Sequence, residues 1–148
     1  SSAVPIPTDR ELKRNIEKVL KWNADLEVLD VRIFVVEGRV VLDGAVSSYW
    51  RKVRVEEVVS PLKGVVEVVN KLAVVPTEKV SDMLLAERIV AGLDRNLLTN
   101  VKNILVEVEN GRVRLSGILP NRPAVEAARD TVIRTGGVTE IRNDLIIR

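Results

Sequence analysis

Glu37-Gly38-Arg39-Val40-Val41-Leu42-Asp43-Gly44 is followed, 73 residues later, by Asn110-Gly111-Arg112-Val113-Arg114-Leu115-Ser116-Gly117. The register then holds without a gap in both directions. Upstream, Leu12, Ile16, Leu20 and Asn23 return as Leu85, Ile89, Leu93 and Asn96; downstream, Gly64, Val65, Glu67, Asn70 and Leu72 return as Gly137, Val138, Glu140, Asn143 and Leu145. A period of this length makes two small units of one fold. The expected division is a tail over 1–8, a first domain over 9–75, a linker over 76–80 and a second domain over 81–148. The repeat also supplies an internal control, since a residue kept in both copies serves the fold and a residue present in one is a candidate for function.

Each copy reads as helix, strand, strand, helix, strand. Thr8 and Ser81 are aligned N-caps, each followed by Asp in the first turn. Leu12, Ile16, Val19 and Leu20 form one apolar stripe at helical spacing. Alternation then sets Val31, Ile33 and Val35 toward the core and Arg32, Phe34 and Val36 away from it, with Ile104, Val106 and Val108 opposing Leu105, Glu107 and Glu109 in the second copy. Asn110-Gly111 is a strong signal for a type I′ hairpin turn, and Glu37-Gly38 a weaker version of it. The stretch 53–59 is so rich in β-branched residues that it reads as a strand in isolation. The aligned Ala124–Arg129, the N-cap candidates Ser48 and Asn121, Pro123 and the spacing of Val55, Val58, Val59 and Leu62 all predict a helix instead. A final strand is expected over Val65–Val75 and Val138–Ile147. The class is therefore α+β: two tandem αββαβ domains, each a three-stranded mixed sheet packed against two helices.

Composition excludes several functions. Hydrophobic residues make up 46% of the chain but aromatics only 3%, so Val, Ile and Leu must fill the cores. No apolar run approaches the roughly 20 residues of a transmembrane helix. The opening Ser-Ser-Ala-Val-Pro-Ile-Pro lacks the charged and apolar regions of a signal peptide. There is no His for general-base or metal work and no Cys for nucleophilic attack or thiolate ligation. No G-x-S-x-G, Walker or zinc-binding spacing occurs. Neither catalysis nor a cofactor or metal is expected. A net charge of +2, with acids interrupting nearly every basic run, gives no basis for nucleic-acid binding.

The pattern of apolar helix, V-x-V-x-(E/N)-G-x-V-x-L-x-G hairpin, second helix and G-V-x-x-(V/I)-x-N-x-L resembles the BON (bacterial osmotic-stress and nodulation) domain. It is carried by Val35, Gly38, Val40, Leu42, Gly44, Gly64, Val65, Val68, Asn70 and Leu72, and again by Val108, Gly111, Val113, Leu115, Gly117, Gly137, Val138, Ile141, Asn143 and Leu145. The resemblance implies an αββαβ sandwich, a periplasmic or outer-membrane-associated location and binding to phospholipid surfaces, with no catalytic signature to carry over. It also implies structural duties for the recurring glycines: Gly38 and Gly111 in the turn, Gly44 and Gly117 at the strand exit, Gly64 and Gly137 after the helix.

Three differences between the copies are the candidates for function. Phe34, Val36, Val41 and Val75 make the outer sheet face of copy one dry where copy two has Glu107, Glu109, Arg114 and Arg148. Met83, Val90 and Leu97 add an apolar stripe to the opening helix of copy two where copy one has Arg10, Glu17 and Ala24. These two surfaces either cover each other between the domains or meet lipid, a larger partner or a second chain, a homodimer included. The third difference is Tyr49-Trp50-Arg51-Lys52-Val53-Arg54. Aromatic rings beside Arg and Lys suit an anionic phospholipid interface; the alternative is that Trp50 caps the small core. Trp22 is expected to pack at its helix end. The expected function is a non-catalytic envelope module that binds anionic phospholipid peripherally, with Tyr49, Trp50, Arg51, Lys52, Arg54, Met83, Val90 and Leu97 as contacts. A protein-interaction or assembly module using the dry sheet face is the alternative.

Overall fold

The computed structural model describes residues 5–96, 98–99 and 101–148. The first helix, α1 (Asp9–Trp22), begins where the Thr8 hydroxyl accepts the Glu11 N–H at 3.2 Å. A single 3-10 turn, Ala24–Leu26, leads into β1 (Leu29–Val36) and β2 (Arg39–Val46), then α2 (Tyr49–Val59), β3 (Glu67–Asn70) and β4 (Ala73–Val74). The second half repeats the order with α3 (Asp82–Arg95), β5 (Ile104–Glu109), β6 (Arg112–Leu119), α4 (Arg122–Ile133) and β7 (Glu140–Ile147). The chain divides into two compact units between Val75 and Pro76.

In each unit the central strand runs antiparallel to the first and parallel to the last. The expected strand over Val65–Val75 is shorter and broken: β3 and β4 both pair with β2 in one lane, interrupted at Lys71 and Leu72. The Asn70 side-chain oxygen accepts the Leu72 N–H at 3.2 Å beside this interruption, and Asn143 accepts the Leu145 N–H in the same way at 3.1 Å. The Asn70 amide donates to the Lys52 carbonyl at 2.8 Å and so ties the strand to α2. In the second unit the strand starts at Glu140 rather than Val138 and then runs unbroken.

The stretch 53–59 is helical, as the repeat predicts, because burial of Val55 and Val59 outweighs local β-propensity. These two side chains share one buried core with Leu12 and Ile16 from α1, Leu26, and Ile33, Val40, Leu42, Val46 and Leu72 from the sheet side. The second core is built by Leu85, Ile89 and Leu93 from α3, by Ala124, Ala128 and Val132 from α4, and by Val113, Leu115 and Leu119. Val31, expected inside, is 39% exposed. A bulge shifts the β1–β2 register between Leu29 and Arg32, with Asp30 at φ 51°, and turns this end of β1 outward.

Both hairpins close through the same turn. Asn110 and Gly111 have φ of 51° and 78°, and Glu37 and Gly38 have 49° and 80°, the signs a type I′ turn requires. Glu37 accepts this geometry although a left-handed L-residue costs about 1–2 kcal/mol. The offset comes from α1, where the Asp9 carboxylate receives the Glu37 and Gly38 N–H groups at 2.9 and 3.3 Å. The opening helix is thereby fastened to the tip of the hairpin. Next to this junction, Pro7 lies beside Gly64 in the first unit and Val80 beside Gly137 in the second.

Candidate functional site

Register sorts the outer face of the first sheet into rows. Nearest the turn come Val36, Arg39 and Glu67, with Arg39 and Glu67 ion-paired at 3.0 Å. Phe34, Val41 and Val69 form the next row, and Phe34 is 54% exposed. Arg32 and Asp43 follow, paired at 2.8 Å. Leu29, Ala45 and Ala73 make the last row, beyond which Val75 donates its N–H to the Val46 carbonyl at 2.8 Å. The structure therefore brings Phe34, Val36 and Val41 together but sets Val75 apart, roughly 20 Å from Val69 at the usual strand rise. Val69 completes the apolar row; its parity with Val41 across a parallel pair is the signal that could have identified it.

The second sheet answers this row with Glu107, Arg114 and Arg142. Arg114 binds Asp144 at 2.8 Å and approaches Glu107 at 3.5 Å. The bond to Asp144 raises the Arg114 pKa, with Glu107 adding a smaller upward contribution. The Asp144 pKa is lowered first by the hydrogen bond from Arg114 and then by Arg142, against an opposing desolvation effect. Farther from the turn, Leu105, Ile118 and Ile146 lie exposed on this face, with Asp144 in the Leu105 row. The contrast of a dry face with a wet one is corrected accordingly. Apolar surface occurs on both sheets, at different distances from the turn.

In the stretch 49–54 much of the charge is already engaged. The Arg51 guanidinium donates to the Asp25 carbonyl at 2.9 Å and to the Ser48 hydroxyl at 3.3 Å. It also lies 5.5 Å from the centre of the Trp50 ring, a cation–π contact. Arg54 pairs with Glu57 at 3.2 Å. Trp50 is 38% exposed, while Tyr49 and Lys52 are partly buried. Arg51 thus clamps the start of α2 to the 3-10 turn that follows α1.

Trp22, expected to pack, is instead 87% exposed. It falls off the Leu12–Ile16–Val19–Leu20 stripe, and α1 ends with it on the surface. Asp9 anchors the start of α1 at the hairpin turn, so a 14-residue helix carries Trp22 about 21 Å away, to the opposite end of the unit. The Arg51–Asp25 bond brings Trp50 to that same end. Leu29 and Val75, 64% and 61% exposed, belong there too. Along the solvent side of α1 run Arg10, Arg14, Lys18 and Lys21, all exposed.

On α3, Met83 is 76% exposed and Val90 42%. With Ala86, Glu87, Ala91, Asp94 and Val101 they line a shallow groove of about 560 Å³. Leu97, expected to continue this stripe, lies outside the described residues. Among the described residues no polar or charged side chain is buried, and no cluster of carboxylates could hold a metal ion. No described helix is long and apolar enough to cross a membrane.

The model of the BON domain matches twice, over residues 8–76 and 81–148. The chain belongs to the BON-domain family. Among curated proteins no match was found. Among solved structures, the C-terminal domain of CdsD, the structural protein of the type III secretion system of Chlamydia trachomatis, is 20% identical with a TM-score of 0.38; the match covers 95% of this chain and 66% of that one. The periplasmic domain of PrgH, a type III secretion inner-membrane protein of S. typhimurium, is 15% identical with a TM-score of 0.33, covering 95% and 78%. This chain spans just under two thirds of the first of these two.

Within the two BON units, the six recurring glycines all have positive φ. The reason is sharpest at Gly117, at φ 131°, where a Cβ would fall on the Asn103 carbonyl oxygen. Asp9 and Asp82 were legible in the sequence only as aligned acids at a helix start. That each carboxylate reaches across to the hairpin turn is visible only in the folded BON unit.

Proposed function

We propose that this tandem BON protein is a non-catalytic module of the bacterial envelope, periplasmic or outer-membrane associated. It binds anionic phospholipid surfaces peripherally through the end of the first unit remote from its hairpin turn. The observation that carries this reading is Trp22, exposed at the end of α1 beside Lys18 and Lys21. An indole settles at the headgroup level of a bilayer. Each Lys near an anionic surface contributes about 1 kcal/mol, so the two together amount to roughly thirtyfold in affinity. Trp50 and Leu29 add apolar surface at the same end. Arg51 and Arg54, held by internal partners, act as supports for this end rather than as its contacts.

Co-sedimentation with vesicles of neutral or anionic phospholipid, at low and moderate salt, tests the reading. Binding should require anionic lipid, weaken with salt and fall in folded Trp22→Ala and Lys18→Glu/Lys21→Glu variants. Equal binding by these variants, or none by the wild type, would contradict it.

A second reading rests on the row Phe34, Val41 and Val69, an apolar strip on an open sheet face bordered by ion pairs. Such a strip suits docking of another protein. Loss of a partner by Phe34→Lys with lipid binding unchanged would favour it.

A further inference from the structure

The outer face of the first sheet is left open by the helices, which share the core on its other side through Leu12, Ile16, Val55 and Val59. Strand pairing sets its side chains in rows. Val36, Arg39 and Glu67 stand nearest the turn, Phe34, Val41 and Val69 next, and Arg32 and Asp43 beyond them. Lys71 completes the third row. Its N–H donates to the Leu42 carbonyl at 2.8 Å, and it is exposed where Asn70 bonds back to α2 and Leu72 is buried. The middle row carries no charge. Among the described residues Lys71 has no ion pair, whereas Arg39 holds Glu67 and Arg32 holds Asp43.

We infer that this face binds the same face of a second copy of the chain, about a two-fold axis that runs between the sheets, perpendicular to the strands and over Val41. This contact rests on the reading of the apolar strip as a docking surface and gives it an occupant. Each strand then lies on its own counterpart, reversed in direction. Phe34, Val41 and Val69 each meet the same residue of the second copy, and the two rings of Phe34 can pack together. The outer rows change places, so Arg39 faces Asp43 of the second copy and Glu67 faces its Lys71, each pair occurring twice. Arg32, held by its own Asp43, lays its methylenes along Val36 of the second copy. An axis along the strands would keep the apolar row in contact but set Arg39 on Arg39, Asp43 on Asp43 and Arg32 on Lys71. Only the perpendicular axis makes the charges complementary.

Facing sheets lie about 10 Å apart and cross at about 30°. The outer rows stand roughly 7 Å from the axis, so this crossing displaces them by roughly 3 Å, less than the spacing of about 4.8 Å between strands. The charge pairs therefore survive the twist. The contact is isologous and closes at two copies. Its three rows span about 10 by 13 Å of backbone, small beside the roughly 800 Å² per partner of a standard interface, so the dimer is weak. Because α1 packs on the other side of the sheet, Trp22, Lys18 and Lys21 stay outside this contact.

Sedimentation velocity of the full chain in lipid-free buffer, over a concentration series reaching the high-micromolar range, tests this apart from any membrane. The sedimentation coefficient should rise to that of a dimer and no further. Phe34→Lys sets two cations together in the apolar row and should weaken association by about tenfold or more. Glu67→Lys and Lys71→Glu, each checked for folding by circular dichroism, should each do the same, since like charges then meet twice. An equal mixture of these two variants should dimerise more tightly than either alone, because both contacts between the unlike chains pair Lys with Glu. A wild type that stays monomeric throughout would overturn the inference while leaving the strip as a docking surface for a different protein. A dimer that withstands Phe34→Lys, or a mixture no tighter than its components, would overturn the assignment to this face and axis.

Discussion

The carboxylate of Asp82 accepts the backbone N–H of Gly111 at 3.1 Å, and that of Asn110 at 2.9 Å, so the first turn of a helix closes the tip of a hairpin 28 residues away. The first unit repeats this with Asp9, Glu37 and Gly38. An acid at a helix start ordinarily answers the helix dipole. Here it also satisfies two turn amides that point away from any ladder. Replacing Asp82 with Ala should cost about 1–3 kcal/mol, with Asn intermediate, read as a lower melting temperature and faster amide exchange at Asn110 and Gly111.

The glycines divide into two kinds. Gly117→Ala puts a methyl group onto the Asn103 carbonyl at a φ of 131° and should destabilise the second unit by several kcal/mol. Gly136 has open space around a Cβ, so Gly136→Ala should be neutral or stabilising by about 0.4–1 kcal/mol. Denaturant unfolding of the two variants side by side checks the contrast.

Arg51 is expected to behave as a structural residue. Its loss removes the bond to the Asp25 carbonyl and the stack on Trp50. Arg51→Ala should lower stability by about 1–2 kcal/mol. In vesicle binding it should cost less than Lys21→Glu does.

Acid should act on the second unit through Asp144. Its folded pKa lies below the ordinary aspartate value, chiefly because Arg114 hydrogen-bonds it. Its contribution is therefore complete above the ordinary carboxylate pKa and is lost as pH falls through the depressed one. The gap in melting temperature between wild type and Asp144→Asn should be widest near neutrality and close toward strongly acid pH. A gap that widened on acidification would contradict the assignment.

The repeat made most of the fold legible. It carried the α2 helix against its own propensity, because the aligned copy lacked the misleading valines, and it placed both I′ turns and all four N-caps. The rows of the sheet face and the bonds from Asp9 and Asp82 to the turns depend on register and on reach between elements, which no single strand or helix shows when read alone. Alternation groups Val75 with Phe34 because both face outward, yet the rows between them are visible only once strand pairing is known. Trp22 is expected to pack at its helix end, yet it lies off the stripe Leu12, Ile16, Val19 and Leu20 and is exposed.

The chain contains two tryptophans, so a Trp50→Phe variant leaves Trp22 as its sole indole. Its fluorescence, titrated with anionic and with neutral phospholipid vesicles at low salt, tests the central claim most directly. The account predicts a blue shift with anionic vesicles that salt reverses and neutral vesicles do not produce. An emission spectrum that stays at its solvent-exposed position with both lipids, in a variant that is folded, would contradict membrane docking at this end of the molecule.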